Sequence, residues 1–354
     1  MYIWLQSTNQ LPTYQLTMSK KVVTFGEIMM RLSTPGNKRF IQTDSFDITY
    51  GGGEANVAAA LCNYGMQGVF FSKLPDNALG QAAINHLRRY GVDTQFIARG
   101  GKRLGLYFLE PGVSMRASQV IYDRADASIT EAQVADFDFD EIFKGADWFH
   151  TSGITPALGD NTAVLTLAAL KAAKARGITT SLDLNYRKKL WTADKAREVL
   201  TQLCEYVDVC IGPDATLGFH ASDTDVDLDK LNTADYITVF KQIKEKYSFK
   251  YVASGLRESH SASDNSISAL IYAGNELYRT AGYDVRIVDR VGAGDSFASG
   301  LIYGLLSGMN AADAAEFGVA ASALKHTIPG DMNHATLIEV QDLVKGNRSG
   351  KIQR

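Results

Sequence analysis

The sequence predicts an α/β fold: a mainly parallel central sheet with helices on both faces and a small separate β-sheet forming a lid. Three observations carry this. Short β-rich runs alternate with longer helical ones along most of the 354 residues, the pattern that builds parallel sheets from crossover units. Two stretches, 31–50 and 97–125, break the alternation; they are extended, punctuated by glycine and free of helical periodicity. Toward the C-terminal end, a strand meets a Gly-Ala-Gly turn that opens a helix of small residues.

Taken in order, residues 22–25 read as a strand and 54–64 as a helix with small residues on one face. A strand over 69–73 and a helix over 79–90 follow, the helix closed by Gly91. Then come a strand at 148–152, an Ala-rich helix at 162–176 ended by Gly177, and a strand at 179–184. Residues 193–204 are helical, 207–211 extended, 240–246 helical and 251–253 extended. A hairpin over 268–272 and 277–280 turns at Gly274, a strand covers 285–288, and helices cover 294–306 and 311–326. The two irregular stretches cannot join a parallel sheet without crossovers, so they are expected to pair with each other as the lid. Residues 1–17 are polar and aperiodic, without the basic start and apolar run of a signal peptide. They are expected to form a disordered extension, with one domain over 18–346 and a short tail over 347–354.

Composition excludes several classes. The formal net charge is −3, with 45% hydrophobic and 21% charged residues, which favours neither nucleic acid nor an anionic membrane as partner. No apolar run is long enough to span a bilayer. Cys62, Cys204 and Cys210 form no CxxC pair and sit in apolar contexts; buried thiols in a reducing cytoplasm are expected. The six histidines show no metal-ligand spacing, and no protein metal site is expected.

Two motifs carry chemistry. In residues 289–300 (DRVGAGDSFASG), small residues let backbone N–H groups approach a ligand, and the helix N-terminus favours an anion. Asp295 lies in the first turn of that helix, where a carboxylate can accept a hydroxyl proton beside a phosphate. A lone Asp after glycines would more often be a helix cap, but strand, turn and small-residue helix agree here. In residues 50–58 (YGGGEANVA), three glycines precede a helix with Asn56 in its first turn. Asn56 can both donate to and accept from hydroxyls.

Together these motifs resemble the two signatures of the PfkB (ribokinase-like) carbohydrate kinases, and the resemblance extends over most of residues 20–345. Departures are Pro75 in place of a usual Gly, Arg290 in place of a small residue or Thr, and a degraded Asn-x-x-Glu region near 211–217 in which Asp214 is the remaining acid. Within the family, residues 151–158 (TSGITPAL), 183–187 (DLNYR) and 325–331 (KHTIPGD) are similar to 2-keto-3-deoxygluconate kinases. The resemblance implies a ribokinase-like fold, Asp295 as general base, and sugar contacts from Gly52, Asn56, Tyr107, Tyr122, Arg124 and Asp331. It implies nucleotide or phosphate contacts from Asn185, Arg187, Gly255, Arg257, Gly292, Ala293 and Gly294, with adenine contacts around 323–328. ATP is the implied phosphate donor, Mg2+ is held mainly through its phosphates, and K+ is a further candidate ion.

The chemistry is compatible with a sugar acid. A carboxylate suits a guanidinium and phenol hydroxyls, and Tyr122 and Arg124, two residues apart on a strand, point to one face. Arg124 could instead be a solvated residue neutralised by Asp123 and Asp126. The expected activity is ATP-dependent phosphorylation of 2-keto-3-deoxygluconate to its 6-phosphate. Alternatives are a kinase for fructose, ribose or 2-keto-3-deoxygalactonate, or a silent sugar-binding regulator on the same fold. A nicotinamide dehydrogenase is disfavoured because no GxGxxG follows the first strand. The lid's open face is expected to make a homo-oligomer.

Overall fold

The computed structural model describes residues 19–213 and 233–347. The expected extension over 1–17, Asp214 and most of the expected tail lie outside the described residues. In chain order, β1 (Lys21–Phe25), β2 (Met29–Ser33) and β3 (Asp47–Gly51) lead to α1 (Gly53–Asn63). β4 (Gln67–Leu74), α2 (Ala78–Arg89), β5 (Ile97–Arg99), β6 (Leu106–Glu110) and β7 (Gln119–Asp123) follow. Next come α3 (Phe139–Phe143), β8 (Trp148–Ser152), α4 (Asp160–Ala175), β9 (Thr179–Asp183), α5 (Ala193–Cys204) and β10 (Val209–Ile211). Beyond the undescribed segment lie α6 (Thr233–Tyr247), β11 (Tyr251–Ser259), β12 (Asp264–Ala273), β13 (Glu276–Arg279) and β14 (Tyr283–Arg286). The chain ends in α7 (Ala293–Leu306), α8 (Ala311–Lys325) and α9 (Leu337–Val344).

Ten strands form the main sheet in the order β13-β12-β11-β10-β9-β8-β1-β4-β5, with β14 also on β12. Pairing is parallel from β11 to β5 and antiparallel among β11 to β14. The mainly parallel sheet read from the sequence is therefore present. β1, β8 and β10 are buried on both faces, and consecutive residues alternate between two cores. Val23, Phe25, Phe149 and Cys210 face α4, α5 and α6 through Leu165, Leu200 and Phe240. Val22, Trp148 and Val209 face α1, α7, α8 and α9 through Val57, Leu301, Ala320 and Val340. Phe25 stacks on Phe71 with ring centroids 4.6 Å apart; truncating such a residue costs about 3–5 kcal/mol.

The α7–α8 pair is drawn together by glycines. A Cβ on Gly300 would come within 2.7 Å of Gly318 Cα, and one on Gly304 within 2.7 Å of Ala314 Cα. This close approach is why those helices are rich in small residues, and it anchors the N-terminus of α7.

β3, β2, β6 and β7 make a separate four-stranded sheet in that order. Both pattern-breaking stretches contribute to it, and β2 pairs parallel with β6. The expected boundary needs one correction: Ile97–Arg99 joins the main sheet, parallel to β4. The lid strands begin earlier on one side, at Met29, and later on the other, at Leu106. Further differences are local. The strand expected over 285–288 ends at Arg286, because Val288 and Asp289 donate their N–H groups to His326 O instead. α3 and α9 are unexpected from the sequence, their five and eight residues being too few for a clear helical period. Among the described residues no helix is long and apolar enough to cross a membrane.

Candidate active site

The carboxyl ends of β1, β8 and β9 and the N-termini of α1 and α7 surround a cleft of about 1100 Å³, roofed by the lid. A second cavity of about 300 Å³ adjoins it, lined by β11, α7 and α8. Asp183 and Gly294 line both. Open α/β sheets place ligands at this end of their strands.

Asp295 stands where the two motifs meet. Asn56 on α1 donates from Nδ2 to Asp295 Oδ2 at 2.7 Å. Gly292 caps α7 with φ +81°, and a Cβ there would sit 1.9 Å from Asp331 O; glycine is required on both counts. Ser296 makes the first four-residue bond of α7, its N–H reaching Gly292 O at 2.9 Å. The N–H groups of Gly294 and Asp295 thus stay open at the positive end of the helix. Ala293 spends its own N–H on Arg290 O at 3.3 Å. Asp295 shows part of its surface to the cleft and is otherwise enclosed by protein. Burial pushes its pKa up to about 7, neighbouring Asp183, Glu54 and Asp331 add to the rise, and the Asn56 hydrogen bond opposes it.

The backbone approaches closely at the first motif too. A Cβ on Gly52 would overlap Glu27 O at 1.8 Å, and one on Gly53 would touch Asp295 Oδ1 at 3.4 Å. Glu54 is buried beside them. Its Oε1 accepts from Ser152 N at 3.0 Å, Ser152 Oγ at 2.7 Å and Thr155 Oγ1 at 2.9 Å, tying α1 to the end of β8. Burial raises its pKa.

The lid wall carries Tyr107, Tyr122 and Arg124, three of the residues expected to contact a sugar, into the cleft. Cross-strand register sets Thr49, Arg31, Tyr107 and Tyr122 in one row across the four strands. Arg124 is not a solvated surface residue. Its Nη2 pairs with buried Glu27, its guanidinium lies 5.4 Å from the Tyr122 ring centroid, and its Nε is buried without a partner. Asp123, offered as a neutralising neighbour, pairs with Arg103 instead. Glu27 Oε1 is likewise unpartnered, and burial raises the Glu27 pKa against the opposing Arg124 charge. Asp331 lines the cleft, but its carboxylate already bonds Arg31 Nη1 at 2.9 Å and the Tyr107 hydroxyl. Arg31 also reaches Asp289 at 2.6 Å.

The expected phosphate-side residues divide between the cavities. Asn185 and Arg187 line the large cleft; Asn185 adopts φ +40° just past β9, and the Arg187 side chain is exposed. Gly255 and Arg257, expected in a loop, lie within β11 and line the small cavity with Ala293. Ser322 and His326 line it from the segment expected to hold adenine. Arg290 lines the large cleft, and burial, with the Arg257 charge across the junction, lowers its pKa. Among the described residues neither Arg257 nor Arg290 pairs with a carboxylate, and no cluster of three or more His, Cys, Asp or Glu is placed to hold a metal. Sequence reasoning did not single out Glu27, Glu54, Arg31 or Lys325. The local signal for Glu27 was its position two residues past β1, at the carboxyl edge of the sheet.

Comparisons with known proteins bear on this site. Residues 19–336 match the family described as pfkB family carbohydrate kinase. A 2-dehydro-3-deoxygalactonokinase of Haloferax volcanii is 34% identical over 333 residues, covering 94% of this chain and 99% of its own. A 2-dehydro-3-deoxygluconokinase of Bacillus subtilis is 29% identical, covering 89% of this chain and 92% of its own. The crystal structure of a 2-dehydro-3-deoxygluconokinase from Thermotoga maritima superimposes with a TM-score of 0.88 at 50% identity, over 92% of this chain and 100% of that one.

Proposed function

The chain belongs to the pfkB family of carbohydrate kinases, and we propose that it uses ATP to phosphorylate the 6-hydroxyl of 2-keto-3-deoxygluconate (2-dehydro-3-deoxygluconate), with Asp295 as the base. The observation that carries this reading is the Asp295 carboxyl, with a pKa near 7 and placed beside open N–H groups where two cavities join. A base works best when its pKa lies near the working pH.

In the proposed step, Asp295 takes the proton of the sugar's primary hydroxyl as that oxygen attacks the γ-phosphorus. The new O–P bond forms while the bond from the γ-phosphorus to the bridging oxygen breaks, and ADP leaves. The proton on Asp295 then returns to solvent. The N–H groups at the head of α7 face the charge on the transferring group, and catalysis is mostly positioning and electrostatics. The small cavity, with Phe297 and Val319 in its wall, suits the adenine base. The uncompensated charges of Arg257 and Arg290 suit the phosphates. Mg2+ comes with ATP and is held mainly through it, Asp183 being the carboxylate that faces both cavities. A cytoplasmic location fits a reaction that consumes ATP.

The preference for a sugar acid rests on Arg124, whose unpartnered Nε and fixed guanidinium border the cleft, and on Arg187, Lys188 and Lys189 at its rim. The galactonate epimer is a second reading, favoured by the Haloferax volcanii relative. Measuring ADP release with both acids, fructose and ribose, and locating the phosphate by phosphorus NMR, tests the proposal. A 6-phosphate of the gluconate-derived acid at the highest kcat/KM supports it; equal or better turnover of a neutral sugar contradicts it.

The outer lid face supports a homo-oligomer. Ile48, Leu32, Phe108 and Ile121 align in one apolar row across all four strands, Ile121 also bordering the cleft. Ile48 and Ile121 are 58% and 53% exposed. We propose that a second copy covers this row.

A further inference from the structure

Lys325, the last residue of α8, has 0% exposure. Its Nζ donates to Ile328 O at 2.9 Å and to Asp289 O at 3.4 Å. Burying an ammonium is costly unless opposite charge and hydrogen bonds compensate it. Burial does lower the Lys325 pKa, and Asp289, Asp331 and Asp295 act against that fall, while Arg31 adds to it.

The surroundings link this cation to the catalytic turn. Asp289 opens the segment that runs through Gly292 to Asp295. Its Oδ1 accepts from Val291 N at 3.0 Å, and its Oδ2 from Gly330 N at 3.0 Å and Arg31 Nη2 at 2.6 Å. Val288 N and Asp289 N both donate to His326 O, at 2.7 and 3.2 Å. Residues 288–292 and 325–331 are thereby zipped together, with the ammonium between their carbonyl oxygens. An apolar side chain of similar length would fill the volume without drawing those carbonyls inward. Gathering main-chain carbonyl oxygens around a compact charge is what a dehydrated alkali ion does.

We propose that the Lys325 ammonium acts as a built-in monovalent cation that positions the Asp289–Asp295 turn, so that phosphoryl transfer needs no added K+. Lys325 touches no substrate; it is a positioning residue, and the proposal rests on the reading of Asp295 as base. The test is ADP release by wild type, Lys325→Ala and Lys325→Met, with K+, NH4+, Li+ or a bulky organic cation as the sole monovalent ion. Wild type should be indifferent to the ion. Lys325→Ala should lose about 10–100-fold in kcat with the organic cation, with KM for ATP little changed. K+ and NH4+ should restore it saturably by about tenfold or more while Li+ does not, and Lys325→Met, whose side chain fills the site, should resist rescue. A merely structural lysine gives no ion-selective rescue of kcat. Loss in Lys325→Ala that no ion restores, or no loss at all, overturns the proposal. So does tenfold activation of wild type by K+, a reading available even if both variants fail to fold. A wild type that releases no ADP with any sugar overturns the functional reading itself, and this proposal with it.

Discussion

Asn56 and Asp295 lie 239 positions apart in the chain and meet through a 2.7 Å hydrogen bond from amide to carboxylate. That bond favours the ionised form of Asp295, while burial and the Asp183, Glu54 and Asp331 charges favour the protonated form. The balance sets when the proposed base is available.

The first prediction is a pH profile. A base must be unprotonated to act, so kcat/KM should rise with pH and level off above about 7. In Asn56→Ala the stabilising bond is gone, and the limb should move to higher pH by about one to two pH units. A limb that stays in place, or moves down, contradicts the pairing as the control of Asp295. Measuring kcat/KM against pH in both proteins decides it.

The same carboxyl should cost stability. Its folded pKa, about 7, lies above that of an unfolded Asp. Between those two values the folded state holds a proton the unfolded state has released, so stability falls as pH rises through this window. Asp295→Asn removes the titration. Its Tm should exceed that of wild type at pH values above about 7, and the gap should narrow toward acid. Melting curves at several pH values check this; a Tm below wild type at alkaline pH would count against the buried carboxylate.

Arg124 should show two separable effects. Arg124→Ala leaves buried Glu27 unpaired, and breaking a buried pair costs roughly 3–5 kcal/mol. Adding Glu27→Gln should recover much of that stability. Activity should not recover: kcat/KM for the sugar acid should fall about 10–100-fold in the single and the double variant. Fructose turnover and KM for ATP should change little, and Arg124→Lys should recover only part. An unchanged ratio of acid to fructose turnover removes Arg124 from substrate recognition.

The lid row predicts an assembly. Wild type should scatter light as a dimer at micromolar concentration, a two-fold arrangement being the commonest closed one. Ile48→Asp or Ile121→Asp should yield monomers that still melt cooperatively. A monomeric wild type contradicts the assigned face.

Features that depend on neighbouring residues were legible in the sequence. The short apolar run at Val22 and Val23 announces a strand, and the Gly-Ala-Gly turn before Asp295 announces an anion site. Both lid stretches were recognisable because they lacked helical period. What could not be read were partners distant in sequence. Arg31 and Asp331 are 300 positions apart, and Arg124 and Glu27 are 97 apart; nothing local in either residue names the other. Ile97–Arg99 joins the main sheet rather than the lid, and its three residues between glycines and polar turns carry too little pattern to show which sheet they join. Asp331 and Tyr107 both line the cleft, but that they bond to each other, and Asp331 to Arg31, could not be read from the sequence.

The central claim, that Asp295 is the base for phosphoryl transfer to a sugar acid, is tested most directly by steady-state ADP release with ATP and 2-keto-3-deoxygluconate, comparing wild type with Asp295→Asn. Wild type should turn over, and the variant should fold and bind ATP yet lose about 10²–10⁴-fold in kcat, since an amide cannot accept the proton. Turnover by Asp295→Asn at the wild-type rate, with the same product, would contradict the account.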